Sequence, residues 1–146
     1  MSELDSIVAR LLETYRTAVY EKDLDAFLSL YDTNVRVFDA WGVWQYEGKD
    51  AWAQSVDAWF SSLGDERVRV TFHETNIHGT GEIAFVSTIV TYAAVAPSGD
   101  ILRSLQDRHT WGLLIEGSDA KILHAHSSAP ANFENGKVML HYEPAE

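Results

Sequence analysis

A tyrosine and an aspartate occupy positions of the sequence where apolar residues are expected. Tyr15 falls on the apolar stripe of an N-terminal helical pattern, and Asp39 shares a face with Val37 and Trp41 if residues 34–41 form a strand. A buried carboxylate is unfavourable unless it is paired or hydrogen-bonded, so an aspartate in a pocket is a candidate general base. A nearby phenol could donate a hydrogen bond to a carbonyl or enolate oxygen. If the protein is an enzyme, the pair predicts proton transfer next to a carbonyl group.

Each of these two residues also has a purely structural interpretation. Asp39 could be a carboxylate bonded to Trp, Tyr or backbone N–H groups, and Tyr15 could be an amphipathic core residue with its hydroxyl at a cavity edge. Burial would raise the pKa of Asp39 and a nearby cation would lower it, so Arg108 or a histidine would decide its charge. The sequence leaves these alternatives open.

Apolar periodicity predicts helices in the first half of the chain. The residues that recur at steps of three and four are Leu4, Val8, Leu11, Tyr15 and Ala18. They predict a helix over 3–21. Asp23 is the predicted N-cap of a short second helix that reaches Tyr31, and Gly48 precedes a third helix that ends near Leu63.

The second half of the chain has the composition of β-strands. A strand at 34–41 and a short return at 43–46 precede four segments rich in β-branched and aromatic residues, at 67–77, 83–96, 101–115 and 122–127. Short turns rich in Gly, Pro and Ser separate them, which predicts an antiparallel meander. Helices followed by strands predict an α+β fold, with helices on one face of a curved antiparallel sheet and a pocket between the layers. Residues 137–142 are a candidate edge strand, and 1–146 is expected to be one domain.

The composition restricts the classes of partner. The chain has 146 residues, with 22 Asp and Glu against 11 Lys and Arg, for a formal net charge of −11. Nucleic acids and anionic membranes need basic patches, so neither is a predicted partner. The absence of cysteine excludes disulfides, thiolate metal sites and a cysteine nucleophile. No signal-peptide pattern begins the sequence, so a cytoplasmic protein is expected, and no motif implies a cofactor.

Short motifs in the first half of the chain follow one another in a recognisable order. They are Ala18, Lys22-Asp23-Leu24-Asp25-Ala26, Leu30-Tyr31, Val37-Phe38-Asp39 and Glu47-Gly48-Lys49-Asp50. Their order resembles the nuclear-transport-factor-two-like superfamily, which includes ketosteroid isomerase and the SnoaL-like proteins. The resemblance implies a cone-shaped α+β fold, a small organic ligand in the cone, and a homodimer formed through the outer sheet face.

Motifs in the second half are similar to a narrower branch of that superfamily. Arg108, Thr110 and Trp111 stand on one predicted strand, and the run from His124 to Pro130 stands on the last. The branch contains ketosteroid isomerase homologues and the association domain of calcium/calmodulin-dependent kinase. It therefore implies a second hypothesis, in which the protein is a non-catalytic oligomerisation or ligand-sensing module.

The resemblance also implies roles for individual residues. Tyr15 and Asp39 match the tyrosine and the base aspartate of the steroid isomerases, and His126 is the histidine predicted to assist them. The protonated second aspartate of those enzymes has no match near 111–112, so isomerase-like or lyase-like chemistry is predicted but not steroid isomerisation.

The two histidines of the last strand share one face, because strand side chains alternate. His124 and His126 could bind a metal with His73, His78, His109 or Asp39 as the third ligand, act in a cavity, or face outward in a dimer contact. The motif resemblance favours the cavity slightly, although the isomerase register would turn Ala125 and Ser127 inward instead. No metal site is predicted.

The remaining predicted site residues are ligand contacts. They are Trp41, Trp44, Trp59, Arg108, His124 and Ser128. The indole rings suit an aromatic or terpenoid-like ligand, and they equally suit the core and an interface. The core is favoured for Trp52 and Trp59, and the rim of the pocket for Trp41 and Trp44. An arginine in a pocket suits a carboxylate or another planar anion, but Arg108 could instead form an ion pair with Asp39, Asp107 or Glu74.

Overall fold

The three predicted helices are present in the computed structural model, which describes residues 2–143. They are α1 (Glu3–Glu21), α2 (Leu24–Leu28) and α3 (Lys49–Ser62). α1 begins with a capping box, in which Ser2 Oγ accepts the Asp5 N–H at 3.0 Å and the Asp5 carboxylate accepts the Ser2 N–H at 3.2 Å. Asp23 caps α2 as predicted, with Oδ1 accepting the Ala26 N–H at 3.1 Å. Within residues 2–143, none of the helices is both long and apolar enough to cross a membrane.

Six strands form one mixed sheet in the order β2-β1-β6-β5-β4-β3. They are β1 (Tyr31–Phe38), β2 (Tyr46–Glu47), β3 (Arg67–Gly79), β4 (Ile83–Val95), β5 (Ile101–Glu116) and β6 (Asp119–Ser128). The long strands form the predicted antiparallel meander, but β1 and β6 run parallel, which corrects the prediction of a wholly antiparallel sheet. Most of the chain separates these two strands, so no hairpin fixes their relative direction.

Each strand of the meander presents one face to the helices and one away from them. On β5 the inner face carries Trp111 and Leu113, both 1% exposed, while Arg108 and Thr110 on the outer face are exposed. Apolar residues of α1 pack with this inner face in one core. Strand alternation therefore decides which side chains can enter a pocket between the two layers.

The segment after β6 is not the edge strand predicted at 137–142. It contains an isolated bridge between Ala131 and Val138, and Gln106 N–H of β5 donates to Leu140 C=O at 2.7 Å. The segment folds back towards the part of β5 that extends beyond its pairing with β6. One isolated bridge does not make a strand, because a strand needs a continuous series of hydrogen bonds to a neighbour.

Replacement of Gly79 is expected to destabilise the β3–β4 hairpin. A Cβ atom at Gly79 would lie 2.5 Å from Ala84 Cβ and 2.7 Å from the Ile83 carbonyl oxygen, so the paired backbone would have to move. We expect Gly79→Ala to lower the free energy of unfolding by about 1–3 kcal/mol, as overpacking does. Gly81→Ala is the matched control, because a Cβ there meets nothing within 4 Å. Equal urea midpoints for the two variants would contradict the prediction.

Candidate functional site

A cavity of about 580 Å³ lies between the helices and the inner face of the sheet. Aromatic side chains are a large part of its lining, and they are Tyr15, Phe27, Tyr31, Trp41, Tyr46, Trp52, Trp59, Tyr92 and Trp111. The polar side chains that line it include Asp39, Asp107, His109 and Ser127. An apolar pocket with a few convergent polar groups is the usual form of a small-molecule site.

Asp39 lines this cavity, but it lies directly after β1 and not within the strand that the sequence predicted at 34–41. Ser127 O–H donates to Asp39 Oδ1 at 3.0 Å, and Ser127 Oγ in turn accepts the Ala40 N–H at 2.8 Å. Burial raises the pKa of the Asp39 carboxyl, and the hydrogen bond from Ser127 and the nearby His109 oppose that rise. The carboxyl is therefore held in one orientation and has a greater affinity for a proton than an exposed aspartate has.

Tyr15 also lines the cavity, and its hydroxyl takes part in a row of polar groups. Its Oη lies 2.9 Å from Tyr92 Oη on β4, and Tyr92 Oη lies 3.0 Å from His109 Nε2 on β5. The ring of Tyr15 packs against Phe27 and Trp111 at centroid distances of 5.0 and 5.5 Å. Burial raises the pKa of both phenols, so each hydroxyl keeps its proton at neutral pH.

Asp107 stands at the end of this row but makes no hydrogen bond with it. Asp107 Oδ1 is 3.0 Å from His109 Nε2, which is the distance of an ion pair. Among residues 2–143, however, Oδ1 has no hydrogen-bond partner, because it lies outside the direction in which the ring nitrogen can donate. The side chain of Asp107 is only 3% exposed. Its contact with His109 is therefore electrostatic.

Sequence reasoning did not identify Tyr92, and it considered Asp107 and His109 only as partners for other residues. A signal for the latter two was present, since they alternate with Trp111 and Leu113 on one predicted strand and so share an apolar face. Tyr92 had no such signal, because its place in the row depends on pairing between distant strands. A second aspartate in the cavity is thus present at 107 rather than near 111–112.

The structure corrects the predicted placement of four site residues, namely the catalytic candidate His126 and the candidate ligand contacts His124, Arg108 and Ser128. Ala125 and Ser127 of β6 line the cavity, so His124 and His126 lie on the outer face, where both contact the edge of Phe38. Arg108 and Ser128 lie on that face too. Arg108 Nε donates to Ser128 Oγ at 3.1 Å, and the side chain points away from the cavity-lining Asp107 beside it on β5.

The three predicted tryptophan contacts are placed differently from one another. Trp41 and Trp59 line the cavity, and Trp41 is 48% exposed, which suits a position at the rim. Trp44 is 95% exposed and is not among the lining residues that the structure describes, which corrects its predicted position. Trp52, which the sequence favoured as a core residue, also lines the cavity.

The mouth of the cavity carries an ion pair. Arg103 lines the cavity and donates two hydrogen bonds to Glu66, at 3.1 and 2.8 Å. Lys22 Nζ fixes the same loop by donating to the carbonyls of Gly64 and Glu66. In the described part of the chain, no three His, Asp or Glu side chains form a group that could hold a metal ion.

Comparisons with known proteins agree on the fold. A model of the SnoaL-like domain family matches residues 8–132. No curated protein matches the chain significantly. A protein of unknown function from Pseudomonas putida KT2440, described as NTF2-like, superposes with a TM-score of 0.82 at 22% identity over 95% of each chain.

Two other solved structures carry functional descriptions. A protein from Xanthomonas campestris, described as a candidate calcium/calmodulin-dependent protein kinase II association domain, has a TM-score of 0.70 at 14% identity and covers 84% of this chain and 85% of its own. A candidate aromatic ring hydroxylase from Novosphingobium aromaticivorans has a TM-score of 0.65 at 16% identity, covering 86% and 88%. At these identities the similarity concerns the fold, and it confirms the predicted NTF2-like α+β fold.

Removal of the Asp39 charge is expected to stabilise the fold at neutral pH. Because burial raises the pKa of Asp39 above its ordinary 3.8, the folded state binds that proton more tightly than the unfolded state. This contribution to stability is fully present below pH 3.8 and is lost as the pH rises through the raised pKa. Asp39→Asn avoids the loss, so its advantage over wild type in free energy of unfolding should grow from acid to neutral pH.

Urea denaturation at several pH values measures this difference. Asp57→Asn is the matched control, because Asp57 is an exposed carboxylate on α3. An advantage of Asp39→Asn that shrinks as the pH rises would contradict the prediction.

Proposed function

The chain belongs to the SnoaL-like domain family, and on that premise we propose that its cavity binds a small organic molecule and moves a proton next to that molecule's carbonyl group. One observation carries the proposal: the Asp39 carboxyl and the row from Tyr15 to His109 line the same largely apolar cavity. A base and a hydrogen-bond donor in one pocket are the two components of enolisation.

In this proposal Asp39 is the general base. Ser127 holds Oδ1, so Oδ2 accepts the proton from the carbon next to the carbonyl. The raised pKa brings the proton affinity of the carboxyl nearer to what the reaction needs. Asp39 then returns the proton to a different carbon, which gives an isomerase-like reaction, or the enolate expels a leaving group, which gives a lyase-like reaction.

Tyr15 is the donor to the substrate oxygen. A hydroxyl group has one proton to donate, so when Tyr92 donates to Tyr15 Oη, the proton of Tyr15 is free for the ligand. His109 Nε2–H donating to Tyr92 Oη gives the row a single direction. The growing negative charge on the enolate oxygen is then stabilised by a donor that is already oriented. His109 replaces His126 in the assisting role, because His126 lies on the outer face.

The second hypothesis, a non-catalytic oligomerisation or ligand-sensing module, has support from the outer surface. Large apolar side chains are exposed on the outer face and the C-terminal segment, among them Phe85 at 50% and Phe133 at 103%. Exposed apolar area of this kind often marks a contact with another protein. A homodimer through the outer face is compatible with both hypotheses.

Proton exchange at an enolisable ketone tests the catalytic proposal. We expect wild-type protein to speed deuterium incorporation into β-tetralone in D₂O, and Asp39→Asn to slow it by at least about 100-fold, the range for a lost general base. Nuclear magnetic resonance follows the α-proton signal. Tyr15→Phe should also slow exchange, because the oxyanion loses its donor.

Two further variants define the outcome of that experiment. Asp57→Asn removes an exposed carboxylate, and His126→Ala removes an outer-face ring, so both should retain wild-type exchange. Exchange in Asp39→Asn as fast as in wild type would refute the role of Asp39 as the general base. Exchange no faster with wild type than in buffer, for this and related aryl ketones, would favour the non-catalytic hypothesis.

A charge on the outer face is expected to weaken self-association. Phe85 is half-exposed near the start of β4 and stacks on His78 at a centroid distance of 5.2 Å. We expect wild type to sediment as a dimer and Phe85→Asp to shift at least tenfold towards monomer, since a buried unpaired charge opposes association. Glu134→Gln, an exposed change on the C-terminal segment, is the control. A wild-type monomer, or a Phe85→Asp dimer as tight as wild type, would contradict this prediction.

A further inference from the structure

We propose that the molecule bound in the cavity carries a protonated amine, which binds the Asp107 carboxylate while the carbonyl of the same molecule meets Tyr15. The inference rests on the proposed function for the carbonyl, and it adds the chemical class of the ligand. It makes Asp107 a ligand-binding residue.

The first support is the unusual environment of Asp107. Its side chain is 3% exposed, it lines the cavity, and its Oδ1 has no hydrogen-bond partner among the described residues. Buried carboxylates are normally paired or hydrogen-bonded, because leaving one without a partner is strongly unfavourable. His109 does not supply the bond, since its Nε2 is used by Tyr92. A ligand with N–H groups would supply what the protein does not.

The formal charges around the cavity favour a cation over a neutral donor. Asp39 and Asp107 both line the wall, and burial together with the smaller effect of the negative charge on Asp107 raises the pKa of Asp39. Arg103 is the one lining Lys or Arg residue in the described chain, and Glu66 already neutralises it with two hydrogen bonds. A positive ligand would therefore relieve the repulsion between the two carboxyl groups, whereas a hydroxyl would not.

The walls beside Asp107 suit the same class of ligand. Trp59 packs edge-on to Tyr92 at 6.2 Å, and Trp111 lies 5.3 Å from the ring of His109, so indole rings flank the polar row. Aromatic faces attract ammonium groups, most strongly where water is excluded. The net charge of −11 would also raise the local concentration of a cation around the protein.

The polar row also restricts the shape of the ligand. Consecutive contacts of 2.9, 3.0 and 3.0 Å lead from Tyr15 Oη through Tyr92 and His109 to Asp107 Oδ1. Tyr15 Oη and Asp107 Oδ1 are thus no farther apart than these three contacts laid end to end, so the carbonyl oxygen and the amine can belong to one small molecule. An amino ketone with an apolar or aromatic body meets this description.

Binding of three probes that share one aromatic body tests the ligand class without requiring turnover. The probes are benzylammonium, benzyl alcohol and benzoate, titrated into the whole protein by calorimetry. We expect benzylammonium to bind wild type at least about tenfold more tightly than benzyl alcohol, with benzoate weakest. Asp107→Asn should weaken benzylammonium by at least about tenfold, as loss of a buried charge partner does, and leave benzyl alcohol within about twofold.

Glu134→Gln is the matched control, because it removes one negative charge from an exposed position and should leave all three affinities unchanged. Benzyl alcohol binding as tightly as benzylammonium, or an absence of binding by every probe, would overturn the proposal. Equal weakening of the ammonium and the alcohol by Asp107→Asn would do the same. If Asp107→Asn does not fold, the order of the three affinities for wild type still tests the proposed ligand class.

This experiment and the ketone exchange fail separately. A preference for benzylammonium without any ketone exchange would support the proposed ligand class and contradict the proposed reaction. Ketone exchange that depends on Asp39, without a preference for benzylammonium, would support the proposed reaction and contradict the proposal that the ligand carries an amine.

Discussion

The polar row that crosses the interior is the constraint on which the rest of the site depends. Tyr15 belongs to α1, while Tyr92 and His109 belong to β4 and β5. The 2.9 Å contact between Tyr15 and Tyr92 therefore joins the helical layer to the sheet, and the 3.0 Å contact between Tyr92 and His109 joins two strands of that sheet. A buried phenol without a partner is unfavourable by roughly 1–3 kcal/mol, so the helix can dock well only where the hydroxyls meet. A purely apolar interface would tolerate sliding of α1 along the sheet. The row therefore fixes the position of α1 along the sheet, and with it the position of the cavity wall that Tyr15 forms.

The cavity stays open because its walls are rigid and large. Tyr15, Phe27 and Phe60 form a series of ring contacts at 5.0 and 5.8 Å, in which each ring supports the next instead of filling the space beside it. Side chains that border a void lose part of their dispersion contacts, so an unoccupied hollow of about 580 Å³ reduces stability relative to a filled core. Tyr31 and Trp52 continue the wall at 6.1 Å. The same rings that limit packing give a planar or apolar ligand a complementary surface.

Local patterns predicted the helices, the meander and the inward positions of Tyr15 and Asp39, because each of these depends on alternation or periodicity within one segment. The position of His126 was not predictable in this way, since either face of β6 was consistent with its sequence and only pairing with β5 and β1 turns Ala125 and Ser127 inward. Tyr92 was missed because its partners are on other elements. The parallel direction of β1 and β6 was missed for the same reason. Most of the features that local sequence patterns did not predict therefore depend on contacts between residues far apart along the chain.

The parallel pairing of β1 with β6 also determines when the site can exist. Asp39 and Ser127 are 88 residues apart along the chain, so Asp39 acquires its hydrogen bond from Ser127 only after the chain as far as β6 has left the ribosome. Until then a nascent chain has the carboxyl group but no wall of β6 around it. The hydrogen-bonded environment of Asp39 is therefore complete only once β6 has been made, and a chain interrupted before β6 lacks it.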